Sequence, residues 1–459
     1  MRDRRITVTE AVFLAAESRE SMMHVGALMP FTPPPDAPPD FLRQILHELR
    51  DSPRVQSLWT RRLRNPDRLS SPRQRWIDDA DFDLDYHVRR SALPTPGGQR
   101  ELGVLVSRLH SVSLDFHRPL WEVHFIEGLQ DGRFAVYTKV HHAMVDGYTA
   151  MQILARSFTP DPTERDTPLF FLRERPSRGS VGEPVATLAG LMDLAREQVD
   201  GTRSFVKAVG RLARSLSGQD PELAAPLQAP RTLFNRRISR NRRFATQSYP
   251  LQRLKDLAIA AEGTLNDVAL ALCAGALRRH LDELGALPDK PLIAMMPVNI
   301  RPADDPGGGN AVGAILASLA TNVADPIQRL QAIIASTRRA KRQLQGMPRS
   351  TILQYTALLM APLSMQLATD TAGRMRPAFN LVISNVPGPR EPLYFRGARL
   401  EAAYPLSIPF HGYGLNITLN SYAGTLNFGF IGCRDAMPSL QRLAVYAGEA
   451  LAELEVALG

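Results

Sequence analysis

The chain has 459 residues, more than one ordinary hydrophobic core accommodates, which predicts two domains of roughly 150–200 residues each. Its composition, 44% hydrophobic and 22% charged, is that of a soluble globular protein. The longest apolar segment, 352–368, is interrupted by two glutamines and a proline and is too short for a membrane-spanning helix. The net charge of +9 favours a solvated basic face or attraction to phosphate-bearing lipids and small molecules. Basic residues cluster at 231–243 and again at 338–342. Nucleic acid is disfavoured as a partner, because neither cluster has interleaved aromatic residues or a known reading motif.

Residues 1–159 are predicted to form a mixed α/β subdomain. A capping box of Thr7 and Glu10 begins a helix at 9–18, whose apolar part is too short and too closely flanked by charge for a signal peptide. The next predicted elements are a strand at 25–29, a helix at 41–50, strands at 76–77, 121–127 and 134–140, and a helix whose buried face carries residues 151, 154, 155 and 158.

Residues 160–245 are predicted to be an inter-domain linker, because the segment is polar and proline-rich and contains one helix, at 185–216. The α/β pattern resumes in a second subdomain, residues 246–459. Its predicted elements are a helix at 264–283, a strand at 291–299, a helix from Asp325 to about residue 345, a β-hairpin at 415–431 and a final helix at 438–457.

The segment 139–147, with the sequence KVHHAMVDG, carries most of the recognisable chemistry. It joins a strand pattern to a helix pattern, which predicts a corner that presents an imidazole. His142 and Asp146 could act as a base and its orienting partner. They could also ligate a metal, but the sequence shows no third ligand and we predict no metal site. Gly147 permits a tight corner that a Cβ would obstruct.

The same segment matches the HHxxxDG signature of the CoA-dependent acyltransferase superfamily, and five further blocks resemble the bacterial wax ester synthase/diacylglycerol acyltransferases. The blocks are DFHRPLWE at 115–122, PRTLFN at 230–235, TLNDV at 264–268, PVNIR at 297–301 and SNVPGP at 384–389. The resemblance covers nearly the whole chain. It implies an α/β (α+β) fold of two chloramphenicol-acetyltransferase-like subdomains, joined by a helical linker, with the active site in a tunnel between them.

The resemblance also implies roles for the signature residues. His142 corresponds to the general base of the family, and His141 is expected to be structural. Asp146 corresponds to an aspartate that maintains the architecture of the site through an ion pair, a role we favour over direct orientation of the imidazole. Gly147 completes the corner as a supporting residue.

Three residues in the other blocks are expected to donate to the oxyanion or to shape the site, namely Asn266, Asp267 and Asn385. For Asn266 helix capping is an equal alternative, and for Asn385 the alternative is the geometry of the turn beside it. The sequence does not identify the residues that bind CoA. Because no serine or cysteine lies in a nucleophile-elbow pattern, we do not expect a covalent acyl-enzyme.

We therefore expect an O-acyltransferase that moves a long-chain acyl group from acyl-CoA, which is a substrate, to a fatty alcohol or to diacylglycerol. The products would be a wax ester or triacylglycerol, and no cofactor is predicted. The alternatives are a condensation-type transferase that acylates amines and a non-catalytic protein of lipid inclusions. With two cysteines and no disulfide framework, the expected location is the cytoplasm, in peripheral contact with the inner membrane or lipid inclusions. The expected oligomeric state is a monomer or homodimer.

Overall fold

The computed structural model describes residues 3–50, 55–145, 147–172, 210, 212, 223–299, 312–345 and 347–459. The chain divides into two compact units that are interleaved along the sequence. Unit 1 contains residues 1–174, 238–253 and 385–444, and unit 2 contains residues 175–237, 254–384 and 445–459. Most of the linker predicted at 160–245, including its helix at 185–216, lies outside the described residues.

The described helices and strands are interspersed along the chain, which is typical of a mixed α/β fold. The helices are α1 (Val8–Ala16), α2 (Phe41–Arg50), α3 (Leu84–His87), α4 (Gln99–His110), α5 (Gly147–Ala155), α6 (Leu251–Ala260), α7 (Leu265–Glu283), α8 (Pro326–Leu344), α9 (Arg349–Ala368) and α10 (Arg442–Leu458). The first eight strands are β1 (Arg4–Arg5), β2 (His24–Thr32), β3 (Arg61–Leu63), β4 (Arg75–Asp78), β5 (Val88–Ala92), β6 (Trp121–Glu127), β7 (Phe134–His141) and β8 (Arg242–Pro250). The remaining strands are β9 (Ile293–Asn299), β10 (Val312–Ser318), β11 (Leu381–Pro387), β12 (Tyr394–Phe395), β13 (Ala398–Leu400), β14 (Tyr404–Leu406), β15 (Leu415–Tyr422) and β16 (Thr425–Cys433).

Unit 1 is built around a sheet in the order β12-β13-β2-β7-β6-β5, with β14 also paired to β2. Strand β7 lies inside this sheet, antiparallel to both of its neighbours. All eight residues of β7 are buried, because the sheet is covered on both faces. One apolar cluster includes Phe31, Trp121, Phe125 and Val136 from one face. A second cluster packs Tyr137 and Ala135 of the opposite face.

Two smaller groups of strands complete unit 1. Strands β1, β4 and β3 form an antiparallel sheet, and β15, β16 and β8 form an antiparallel ladder. The turn between β15 and β16 is Ala423–Gly424, and both residues have positive φ, as a two-residue hairpin turn requires. The hairpin predicted at 415–431 therefore lies at 415–433 in the structure.

Unit 2 contains a short strand group and the longest helices. Strand β9 pairs antiparallel with β10 and parallel with β11. The chain passes from unit 2 into unit 1 within β11, at residue 385. The predicted cap of α8 is confirmed, because the Asp325 side chain accepts from the backbone N–H of Gln328 and Pro326 is the first helical residue.

Helix α9 occupies the apolar segment at 349–368 and contains Pro362. Among the helices that the structure describes, none alone is both long and apolar enough to span a bilayer. Helices α6 and α7 meet that criterion only as a pair, and the chain bends by 99° between them.

Candidate active site

The signature lies where buried strand β7 ends and helix α5 begins. Neighbouring β6 brings the end of the DFHRPLWE block alongside β7, with Trp121 opposite Val140 and Glu122 opposite Lys139. On its other side β7 pairs with β2, which places His24 opposite His141. The strand–turn–helix corner predicted from the sequence is confirmed, and both neighbours fix its position in the sheet.

His142 is the first residue beyond β7, and its ring is partly buried. Its backbone N–H donates to the carbonyl of Met23 at 2.8 Å. The imidazole stacks on the ring of Phe13 of α1, with the centroids 4.0 Å apart and the planes 19° from parallel. The backbone bond fixes the Cα and the stacking restricts the ring, so the imidazole is held in one orientation at the end of a rigid strand.

His141 points into the protein and is buried. Its Nδ1 accepts from the backbone N–H of Ala143 at 3.0 Å, and its Nε2 lies 3.4 Å from Glu17 Oε2. An imidazole nitrogen that accepts a hydrogen bond carries no proton, so this geometry selects the tautomer with hydrogen on Nε2, facing the carboxylate. Glu17 Oε2 also accepts from the backbone N–H of Met23 at 2.5 Å. The first histidine thus ties the corner to the end of α1 and the start of β2.

A buried ionic cluster lies beneath the signature strand. Lys139 Nζ is 3.0 Å from Glu122 Oε2 and donates to the backbone carbonyls of Leu109 and Val112. His124 Nε2 lies 3.2 Å from the same carboxylate oxygen. Burial alone would raise the pKa of Glu122, but the hydrogen bond from His124 and the charges of Lys139 and Arg89 outweigh it and lower the pKa to about 2. The cluster therefore joins β6 and β7 through a carboxylate that stays ionised.

The other predicted site residues are placed as follows. Asp146 lies outside the described residues, and Gly147 is the first residue of α5. Asn385, in β11, is partly buried and belongs to unit 1, as does His142. Asn266 and Asp267 belong to unit 2, near the start of α7.

The capping alternative for Asn266 is wrong, because Thr264 is the N-cap of α7 and accepts from the backbone N–H of Asp267. Asp267 Oδ2 accepts from the backbone N–H and the hydroxyl of Thr264, and its Oδ1 accepts from Thr337 Oγ1 at 2.6 Å. Since both carboxylate oxygens are used as acceptors, Asp267 is structural: it closes a capping box and joins α7 to α8.

A largely apolar cavity of about 370 Å³ lies within unit 1, along helix α5. Met151, Leu154 and Phe158 form one wall, and Pro387, Gly388 and Pro389 of the NVPGP segment form another. Met151, Leu154 and Phe158 all belong to the buried face predicted from the sequence. The cavity itself could not be predicted, because its other walls come from residues about 240 positions away in the chain. Its size and lining suit part of an alkyl chain.

Family models and known relatives identify the class of protein to which this chain belongs. The model of the wax ester synthase/diacylglycerol acyltransferase catalytic domain matches residues 6–269, and that of the WS/DGAT C-terminal domain matches residues 308–455. A putative diacylglycerol O-acyltransferase of Mycobacterium tuberculosis is 53% identical, over 99% of this chain and 98% of that protein. The O-acyltransferase WSD of Acinetobacter baylyi is 40% identical, over 95% and 94%.

Solved structures give the same result. The wax ester synthase/diacylglycerol acyltransferase of Marinobacter aquaeolei VT8 matches with a TM-score of 0.80 and 40% identity, over 99% of this chain and all of the other. The first condensation domain of the calcium-dependent antibiotic synthetase has a TM-score of 0.58 at 16% identity, over 99% and 95%, and shares the fold alone. The chain therefore belongs to the wax ester synthase/diacylglycerol acyltransferase family and is an acyltransferase.

Proposed function

We propose that this protein transfers a long-chain acyl group from acyl-CoA to the hydroxyl of a fatty alcohol or diacylglycerol, with His142 as the general base. The observation that carries the proposal is the placement of His142: its backbone is bonded to Met23 and its ring is stacked on Phe13, yet the side chain is only partly buried. An imidazole that is held in one orientation and is still accessible can accept a proton from a substrate bound beside it, as a general base does.

The proposed reaction is a direct displacement. An imidazole nitrogen of His142 accepts the proton of the acceptor hydroxyl as its oxygen bonds to the thioester carbon. The resulting tetrahedral oxyanion collapses, the carbon–sulfur bond breaks, and CoA thiolate leaves. The proton on His142 then passes to the thiolate or to solvent. The side-chain amide of Asn385, which belongs to the same unit as His142, is the proposed oxyanion donor, since amide N–H groups stabilise developing negative charge.

The acceptor is proposed from the relatives and the cavity together. The relatives are named for diacylglycerol O-acyl transfer and for wax ester synthesis. Both acceptors carry long alkyl chains, and the cavity along α5 has apolar walls suited to such a chain. We place both acceptors within the range of this enzyme, with acyl-CoA as the donor and no additional cofactor.

Water-insoluble substrates require contact with a lipid surface, and helix α9 supports such contact. No charged residue occurs from Ser350 to Thr369 in the sequence. The side chains of Leu353, Met365 and Leu367 are nevertheless exposed, Met365 by 59%. An exposed apolar helix face without charge is unfavourable in water and favourable at a lipid interface. We propose a cytoplasmic protein in peripheral contact with the inner membrane or lipid inclusions through this helix.

The test is a product assay with purified protein, one long-chain acyl-CoA, and hexadecanol and diacylglycerol in competition, with an amine acceptor offered in a parallel reaction. We expect ester products from both acceptors in wild type. His142→Ala should lower kcat by about 10²–10⁴-fold, because it removes the base. The matched control is His47→Ala, at an exposed position of α2, and it should retain activity.

Three outcomes would contradict the proposal. Near-normal turnover in His142→Ala would exclude this residue as the base. Product formation with an amine acceptor but with neither alcohol would indicate a condensation-type transferase. No turnover with any acceptor, in a folded protein that binds lipid, would indicate a non-catalytic lipid-binding protein.

A further inference from the structure

The loop between α1 and β2, residues 17–23, contacts both histidines of the signature, and we call it the support loop. The carbonyl of Met23 accepts from the backbone N–H of His142 at 2.8 Å. Glu17 Oε2 lies 3.4 Å from His141 Nε2 and accepts from the backbone N–H of Met23 at 2.5 Å. The placement of the proposed base therefore depends on the placement of this loop.

The support loop contains neither helix nor strand, so hydrogen bonds outside regular structure fix its path. Within it, the backbone N–H of Ser21 donates to Ser18 Oγ at 3.0 Å. Two contacts come from distant parts of the chain. The backbone N–H of His411 donates to Ser21 Oγ at 3.0 Å, and Arg242 Nη2 donates to the carbonyl of Glu20 at 2.5 Å. The Arg242 contact is donated by a side chain, so a substitution removes it without changing the loop itself.

Arg242 joins the support loop to two other irregular segments of unit 1. It is the first residue of β8, and it is only 3% exposed. Its Nη1 donates to the carbonyl of Ser239 at 2.5 Å, and its Nη2 is also 3.4 Å from the carbonyl of Pro409. Its own backbone is fixed, because its N–H donates to Ser111 Oγ at 2.8 Å. The guanidinium is therefore a rigid connection between three carbonyls that no helix or strand holds together.

An arginine suits this position better than any other side chain. Burial lowers the pKa of Arg242 to about 10, while the charge of Glu17 raises it, so the guanidinium stays charged at neutral pH. A buried charge costs free energy, which the hydrogen bonds to the carbonyls offset. A guanidinium has five N–H donors in one plane and reaches carbonyls in different directions, whereas an ammonium donates from a single point.

We propose that Arg242 is a positioning residue for acyl transfer: it holds the support loop through the carbonyl of Glu20, and the loop holds the imidazole of His142. This inference rests on the proposed function, because it takes His142 as the base. Without the guanidinium the Glu20 carbonyl loses its donor, and Met23 follows only three residues later. A displaced base slows proton transfer more than it weakens substrate binding, because the base must lie within hydrogen-bond reach of the hydroxyl.

The first experiment compares the steady-state kinetics of Arg242→Gln, Arg242→Lys and wild type with palmitoyl-CoA and hexadecanol. Each rate is divided by the folded fraction, measured by near-UV circular dichroism at the assay temperature. We expect Arg242→Gln to lower kcat by about 10²-fold and to leave both KM values within about twofold of wild type. Arg242→Lys keeps the charge and one point of donation, so it should recover part of kcat. If Arg242→Gln does not fold, Arg242→Lys provides the same comparison with a smaller effect.

Arg329→Gln is the matched control for the loss of a buried arginine. Arg329 is also 3% exposed and also donates to backbone carbonyls, those of Val323 and Ala324, but these residues belong to unit 2. The control should lower the melting temperature and leave kcat per folded molecule unchanged. An equal fall of kcat in Arg329→Gln would show that any buried arginine has this effect, and the inference would be wrong.

A spectroscopic measurement separates this inference from the proposed function, because it needs no turnover. In protein labelled at histidine, the ring current of Phe13 shifts the proton resonance of the stacked His142 ring, and His142→Ala identifies that resonance by removing it. In Arg242→Gln the resonance should move toward its unstacked position, whereas that of His47, exposed in α2, should not. The inference is wrong if either kcat or the His142 resonance of Arg242→Gln matches wild type. If both change but His142→Ala remains active, Arg242 positions the corner for another base and the proposed role of His142 fails.

Discussion

The two histidines of the signature are adjacent in the chain, but their side chains have different surroundings. His141 is buried between Ala143 and Glu17, so its proton is fixed on the nitrogen that faces the carboxylate. His142 contacts the face of Phe13 and remains partly accessible. A group that exchanges protons with a substrate must be reachable, whereas one that fixes a corner must not move. This difference supports the separate roles that the resemblance implies, with His142 as the base and His141 as support.

Glu122 provides a prediction about stability at the residue scale. Its pKa is lowered to about 2 in the folded protein, so its contribution to stability is complete above the ordinary glutamate pKa and is lost as pH falls toward the folded value. In Glu122→Gln this contribution is absent and Lys139 loses its buried counterion, so we expect the variant to be less stable by about 3 kcal/mol at neutral pH.

The measurement is urea unfolding at a series of pH values from neutral to acidic. The free energy of unfolding of wild type should fall more steeply than that of Glu122→Gln below the ordinary glutamate pKa, so the two values should converge. Arg90→Gln is a suitable control, because Arg90 pairs with Glu127 at 2.7 Å through side chains that are both about one third exposed and should contribute little. Parallel pH profiles for wild type and Glu122→Gln would contradict the assignment.

At the scale of elements, the sequence was sufficient to predict helices that begin with interactions between residues close together in the chain. The capping box of Thr7 and Glu10 and the cap at Asp325 marked helices that the structure contains. Strands β13 and β14 were missed, because they are three residues each and pair with β2, which is about 370 residues earlier in the chain. Strand pairing over such a separation leaves no periodic pattern in the sequence, so neither the register nor the cavity beside it could be predicted.

Gly388 gives a prediction for the NVPGP segment as an element. A Cβ at this position would lie 2.3 Å from the backbone carbonyl oxygen of Ser421 and 3.0 Å from Asn420 Nδ2. Because the closer atom belongs to a strand backbone, the segment would have to move away from β15. We expect Gly388→Ala to destabilise the protein by about 1–3 kcal/mol and to weaken the hydrogen bond that Asn420 Nδ2 donates to the carbonyl of Val386 at 3.0 Å.

Thermal unfolding and kinetics with acyl-CoAs of different length would test this prediction. The displaced segment forms one wall of the cavity, so the variant should change the chain-length preference as well as the melting temperature. Gly424→Ala serves as a control for the loss of a glycine in the same unit: nothing lies within 4 Å of its added Cβ, although its φ of +81° carries a backbone cost. An unchanged chain-length preference in Gly388→Ala would show that the segment does not limit the cavity.

For the whole molecule, the compact units do not follow the linear boundaries predicted at residues 159 and 245. The chain returns to unit 1 at residue 385, because β12, β13 and β14 complete the sheet that contains the signature strand. Composition and proline content can indicate where a chain is polar, but they carry no information about which sheet a later strand will join. The fold class could therefore be predicted from the sequence, whereas the division into units could not.

The last prediction concerns how the molecule reaches its lipid substrates. If α9 contacts a lipid surface, Met365→Glu combined with Leu367→Glu should place two charges in the interface and weaken binding by about tenfold or more. The measurement is co-sedimentation with vesicles of phosphatidylcholine and phosphatidylglycerol. Val456→Glu in α10 is the matched control, because Val456 is 85% exposed but lies in a helix that already carries glutamates.

Salt dependence separates the apolar from the electrostatic part of this contact. Screening weakens the attraction of a protein with net charge +9 to anionic headgroups, but it does not weaken the burial of apolar side chains. Wild type should therefore retain part of its vesicle binding at high salt, and the double variant should lose that part. Equal binding of the double variant and wild type, or an equal loss in Val456→Glu, would mean that α9 is not the contact and that a lipid surface is reached by another face.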